Sequence, residues 1–151
     1  MSQSLSMVYL HAVFSTKDRI GYLKDANLRN DVWQFMARTS ARMDCPTLDI
    51  GGTLDHVHAL FRMDREITQA NWVKEVKRTS SLWIKAKARS LHDFHWQNGY
   101  ALFSVSPSQL DTVRRYIQNQ ETHHAKRDFK VELRALLKKH GLAWDERYVW
   151  D

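Results

Sequence analysis

The sequence predicts an α+β fold of the ferredoxin-like, split β-α-β-β-α-β kind. It expects one four-stranded antiparallel sheet with helices on one face, followed by C-terminal helices. Three observations predict it. Runs rich in β-branched and aromatic residues alternate with segments of helical period, in the order strand, helix, strand, strand, helix, strand, helix. Capping residues stand where the helical segments begin. Only five Gly and two Pro occur, which leaves little room for long linkers. The 151 residues fit a single domain, residues 1–151, with a proper core.

Met7 to Ser15 reads as a buried first strand, and Ser15 to Gly21 as a polar loop holding Lys17 and Arg19. Asp25 can cap a helix running to about Met43, with Leu28, Val32, Phe35, Met36 and Met43 on one apolar face. Pro46 then separates that helix from the next strand region. Thr47 to Ile50 and Leu54 to Phe61 read as two strands joined at Gly51-Gly52, a hairpin signal.

Thr68 can cap a second helix, about Gln69 to Arg89, with Trp72, Val76 and Trp83 on one face. Lys74, Arg78, Lys85 and Arg89 fall on the opposite face. Over residues 71–89 they join Lys77 and Lys87 against the one acid Glu75. Solvated faces usually mix signs. A stripe this one-sided suits phosphate contacts, which makes Lys74, Lys77, Arg78, Lys85 and Arg89 candidate DNA-binding residues.

Leu91 to Asn98 reads as a loop rich in His and Trp, and Gly99 to Val105 as a fourth strand. Ser106, Pro107 and Gln109 form a capping-box signal that opens a third helix, expected to reach about His124. Leu110, Val113 and Ile117 should face its core side, with Tyr116, Gln120 and His123 on an adjacent face. A last amphipathic segment, Phe129 to Lys139, ends at Gly141, and the aromatic, charged tail Trp144 to Asp151 should pack.

Composition bounds the class. Hydrophobic residues are 43% and charged residues 26%, ordinary for a soluble globular chain. The net charge of +6 favours a polyanionic partner such as nucleic acid. The single Cys45 allows no internal disulfide and fits a reducing, cytoplasmic location. No stretch approaches the roughly 20 apolar residues of a membrane helix, and Met1 to Ser6 lacks the form of a signal peptide.

The chemistry concentrates in His56-Val57-His58. On a strand the two histidines project to one face while Val57 turns into the core. Two imidazoles with the side-chain oxygen of Gln120 make a mixed nitrogen and oxygen set that suits Mg²⁺ or Mn²⁺. Tyr116 stands one helical turn before that amide. With a reference pKa of about 10, a tyrosine is a poor nucleophile until its target phosphate is polarised. His123 and His124 read as solvent- or DNA-facing, and His11 as a core or sheet-face histidine. His92 and His95 read as loop residues, with Trp96 able to stack on a base. Gly51-Gly52-Thr53 offers no acidic side chain as an extra ligand.

Several stretches together resemble the HUH-type single-tyrosine transposases of small insertion sequences and their REP-associated relatives. They are Asp55-His56-Val57-His58, Trp96-Gln97-Asn98-Gly99-Tyr100, Phe103-Ser104-Val105-Ser106, Tyr116-Ile117-Gln118-Asn119-Gln120-Glu121-Thr122-His123-His124, and Leu136 to Gly141 followed by Asp145-Glu146-Arg147-Tyr148. The resemblance covers nearly the whole chain. It implies that His56, His58 and Gln120 hold a divalent metal and that Tyr116 is the nucleophile. It implies cutting and rejoining of single-stranded DNA beside hairpins at element ends, through a 5′-phosphotyrosine and without ATP or another nucleotide cofactor. It also implies a homodimer in which the tyrosine helix of one subunit can complete the histidine site of the other. A domesticated protein that binds the hairpin without chemistry is the alternative from the same resemblance.

Overall fold

The computed structural model of the chain describes residues 2–124 and 127–151. Strands Tyr9–Ser15 (β1), Thr47–Gly52 (β2), His56–Arg62 (β3) and Ala101–Val105 (β4) form one sheet in the order β2-β3-β1-β4. All three pairings are antiparallel. The helices are Ala26–Arg42 (α1), Gln69–Lys85 (α2), Leu110–Gln118 (α3), Gln120–His124 (α4) and Phe129–Lys139 (α5). This is the expected split β-α-β-β-α-β order, with β1 and β3 central. Among the described residues no helix is long and apolar enough to cross a membrane.

Strand alternation sorts the side chains between two layers. Leu10, Ala12 and Phe14 of β1 and Val57, Ala59 and Phe61 of β3 pack with Val32, Met36, Trp72 and Val76 of α1 and α2. Phe61 lies flat on Trp72, with ring centroids 3.9 Å apart. The other face is covered from the C-terminal side, where Phe129, Leu133 and Leu137 of α5 pack on Val13, Ala101 and Phe103. His56 and His58 project into this second layer.

Several ends follow from local chemistry. Asp25 caps α1 by accepting from the Asn27 and Leu28 amides at 2.8 and 3.3 Å. Asp128 caps α5 through the Val131 amide at 3.0 Å. α5 stops in a Schellman turn: Gly141 takes φ 70° and donates to the Lys138 carbonyl, while Leu142 donates to that of Leu137. The tail packs as expected. The Asp151 carbonyl accepts from the Gly99 amide, and that of Trp150 from Arg19.

Beyond the strand ends, four local features differ from the sequence reading. α2 ends at Lys85 rather than Arg89, because Ala88 is extended and Arg89 begins a separate 3-10 turn. Gly51 and Gly52 are not the hairpin turn; they pair with His58 and Val57 inside β2, and residues 53–55 turn the chain. Both are small because of close approach. A Cβ on Gly52 would collide with the His56 carbonyl, and one on Gly51 would sit 3.1 Å from the Ile117 side chain of α3. The capping box at Ser106 does not form. Pro107–Gln109 is a 3-10 turn, and the Ser106 hydroxyl pairs with Ser108 instead. The third helix is divided at Asn119, a weak helix former with φ −97° and ψ 17°, so Gln120 starts α4.

Candidate active site

β3 carries the site because its alternation puts Val57 into the core and both histidines on the opposite face. His56 and His58 are fully buried, and their rings are 5.2 Å apart. His56 Nδ1 donates to Asp55 Oδ1 at 2.8 Å, and Thr53 supports that carboxylate at 3.1 Å. Burial raises the Asp55 carboxyl, but the His56 and Thr53 hydrogen bonds prevail and hold it below its usual value. With Nδ1 committed to Asp55, His56 turns its Nε2 inward. Gln120 Oε1 faces that nitrogen at 2.9 Å. The amide is fixed this way round because its Nε2 donates to Glu132 Oε2 at 3.2 Å. A ring nitrogen and an amide oxygen thus point at one spot, a pair that a bound cation could take as ligands.

His58 is held at both nitrogens. Its Nε2 lies 2.8 Å from Glu132 Oε1, and its Nδ1 lies 2.8 Å from His11 Nε2. Burial lowers the His58 pKa to about 4, and burial with the neighbouring His58 lowers that of His11. The neutral pattern is therefore His11 Nε2–H donating to His58 Nδ1, and His58 Nε2–H donating to Glu132. Burial raises Glu132 as well, yet hydrogen bonds from His124 and His58 overcome it and keep the group a carboxylate.

Tyr116 joins the same cluster from α3. Its ring stands edge-on to His58 at 5.5 Å between centroids, and 6.2 Å from His11. Burial, with the Glu132 carboxylate alongside, raises the phenol above its ordinary pKa. A cavity of about 300 Å³ opens beside it, lined by Phe103, Ser106, Thr112 and Lys139 among others.

One chain thus brings His56, His58, Gln120 and Tyr116 together. The basic residues lie elsewhere, because α2 covers the other face of the sheet. Lys74 and Arg78 are exposed, Lys85 is half-buried, and Arg78 pairs with Glu75 at 2.8 Å. Lys77 is used internally: its ammonium donates to the carbonyls of Gln97, Asn98 and Gly99, and burial lowers its pKa to about 8. Trp96 is core rather than a stacking platform, 6% exposed, with its indole N–H on Ser80 Oγ.

Glu132 and His124 escaped the sequence reading. His124, expected to face solvent or DNA, instead lies with its ring 4.3 Å from that of His56 and Nε2 3.1 Å from Glu132 Oε2. Glu132 is 4% exposed. The signal for it was present: it sits three residues after Phe129 and four before Leu136, on the apolar stripe of α5. An acid in such a stripe is rarely buried without a partner. Besides Asp55, a second carboxylate enters the site from α5, while Gly51-Gly52-Thr53 supplies none.

The donor set fits a small divalent ion. Two ligands at about 2.1 Å from such an ion, at a right angle, stand about 3.0 Å apart. The 2.9 Å from His56 Nε2 to Gln120 Oε1 is of that size.

Comparison with known proteins bears on the fold and the family. No curated protein matches the chain. Among solved structures, a protein assigned as a transposase from Deinococcus radiodurans R1 has a TM-score of 0.61 at 17% identity, over 80% of this chain and 98% of that one. A REP-associated tyrosine transposase bound to a REP hairpin has a TM-score of 0.59 at 11% identity, over 82% of this chain and 74% of that one. These likenesses show the fold. The family model described as "Transposase IS200 like" matches residues 4–120, a span that holds both histidines, Tyr116 and Gln120 and stops before α5. The chain belongs to the IS200-like transposases.

Proposed function

We propose that this transposase cuts and rejoins single-stranded DNA at hairpin-containing element ends through a 5′-phosphotyrosine on Tyr116. The observation that carries the reading is Tyr116 seated against His58, one turn before a glutamine that touches His56. His56, His58 and Gln120 would hold Mg²⁺ or Mn²⁺, which when bound would supply positive charge for the phosphate and leaving oxygens. Tyr116 Oη bonds to phosphorus as the bond to the 3′-oxygen breaks, and the phenol proton ends on the released 3′-hydroxyl. That hydroxyl later reverses the exchange on a new strand. One phosphodiester replaces another, so no ATP is needed. Asp55 and His11 hold the two imidazoles in orientation, and the cavity beside Tyr116 admits the strand.

Incubating the protein with single-stranded hairpin DNA and Mg²⁺ or Mn²⁺, then running a denaturing gel, tests this. Protein joined covalently to DNA is the expected product. Tight hairpin binding with no adduct under any divalent metal would favour the binding module instead.

We also propose that Lys74, Arg78, Lys85 and Arg89 contact phosphates of the hairpin stem, on the face of the sheet away from Tyr116. Charge reversal at Lys74, Arg78 and Lys85 should weaken DNA binding and flatten its salt dependence, each lost contact lowering the slope by roughly one. An unchanged slope in equilibrium titrations across salt would reduce the stripe to a solvated face. Lys77 is excluded from this set by its internal carbonyl partners.

The dimer implied by resemblance raises the question of which subunit supplies the tyrosine. His56, His58, Gln120 and Tyr116 meet within one chain, which supports attack in the same subunit. Mixing Tyr116→Phe with a His56→Ala/His58→Ala protein should then restore no cleavage. Restored cleavage in the mixture would show that α3 is exchanged between subunits.

A further inference from the structure

We infer that Glu132 is a ligand of the metal at the His56–His58 site, a protein donor carried by α5 from outside the residues that match the family. The inference rests on the metal-dependent reading above. Glu132 Oε1 lies 2.8 Å from His58 Nε2 and 3.5 Å from His56 Nε2. Donors at about 2.1 Å from a small divalent ion stand roughly 3.0 to 3.4 Å apart across right to tetrahedral angles. With the His58 Nε2 proton displaced by the ion and Nδ1 donating to His11 Nε2 instead, Oε1 is spaced like a donor to one ion shared with both imidazoles.

The carboxylate is also aimed. Its second oxygen, Oε2, accepts from Gln120 Nε2 at 3.2 Å and His124 Nε2 at 3.1 Å, which fixes the rotation that presents Oε1 to the histidines. Charge points the same way. Two neutral imidazoles and an amide bring no negative charge, whereas hard cations such as Mg²⁺ and Mn²⁺ favour carboxylate oxygen. A carboxylate buried this deeply is costly unless it is paired. Its helix is pressed to the sheet by Phe129, Leu133 and Leu137, so the packing that docks α5 also delivers the ligand. Metal binding and the docking of α5 are thereby coupled.

The test is Mn²⁺ binding to the full chain by calorimetry, comparing wild type with Glu132→Gln, which keeps the shape and loses the charge. Affinity should fall by ~10- to 100-fold. Hydrogen exchange of the wild type gives a second readout that needs no variant: saturating Mn²⁺ should slow amide exchange several-fold over residues 129–139. A Glu132→Gln affinity within twofold of wild type, or exchange in α5 that Mn²⁺ leaves unchanged, overturns the inference. Wild type that binds no Mn²⁺ overturns the metal-dependent reading as well, whereas equal binding by wild type and Glu132→Gln removes only Glu132.

Discussion

Tyr116→Phe should bind hairpin DNA and Mn²⁺ at wild-type level and form no covalent adduct. The substitution keeps the ring that stands edge-on to His58 and His11, so the packing between α3 and the sheet survives. Only the attacking oxygen is lost. Removing a nucleophile from a site that otherwise stays assembled costs on the order of 10³-fold or more, because orientation and charge stabilisation have nothing left to act on. The raised pKa of this phenol sharpens the expectation. A tyrosine that stays protonated at neutral pH attacks only where its proton and the phosphate charge are both managed, and no neighbouring group replaces it. Adduct formed by Tyr116→Phe at wild-type level would sink the assignment.

His56→Ala and His58→Ala should each abolish cleavage and Mn²⁺ binding, but they should differ in stability. His58→Ala removes the nearest donor to Glu132 and the partner of His11 together, leaving two buried polar groups short of a hydrogen bond. Groups stranded in this way cost about 1–3 kcal/mol each. His56→Ala strands Gln120 Oε1, while Asp55 keeps Thr53. Thermal melts should therefore rank His58→Ala below His56→Ala, with both below wild type. Mg²⁺-dependent cleavage at wild-type rate in either variant would remove the metal-site assignment.

Much of this was legible in the sequence because period and alternation are local. Alternation along β3 placed both histidines on one face, and helical period placed Tyr116 and Gln120 one turn apart. The division at Asn119 left that spacing usable, since Gln120 still turns inward. What stayed hidden was non-local. Gly51 and Gly52 imitate a turn, yet they are small because α3 and the neighbouring strand press on them, and only the tertiary structure shows that. Lys74 and Arg78 of α2 are exposed, but the inward turn of Lys77 and the side of the sheet that α2 covers depend on how the whole chain crosses over. Glu132 looked like one more polar residue of an amphipathic helix until its partners, 74 positions earlier at His58 and 12 earlier at Gln120, were brought beside it.

That separation sets an order of events during synthesis. Chains emerge from the ribosome at roughly 5–20 residues per second, N-terminal end first. The sheet and the α1–α2 layer draw on residues up to Val105, so they can assemble while α5 is still unmade. Until α5 arrives, His58 lacks its carboxylate and the outer face of β1, β3 and β4 lacks its cover. The exposed Val13, Ala101 and Phe103 then form a sticky surface on the nascent chain, one that chaperones would recognise. On the reading proposed above, the site that handles DNA is finished only once α5 has been made.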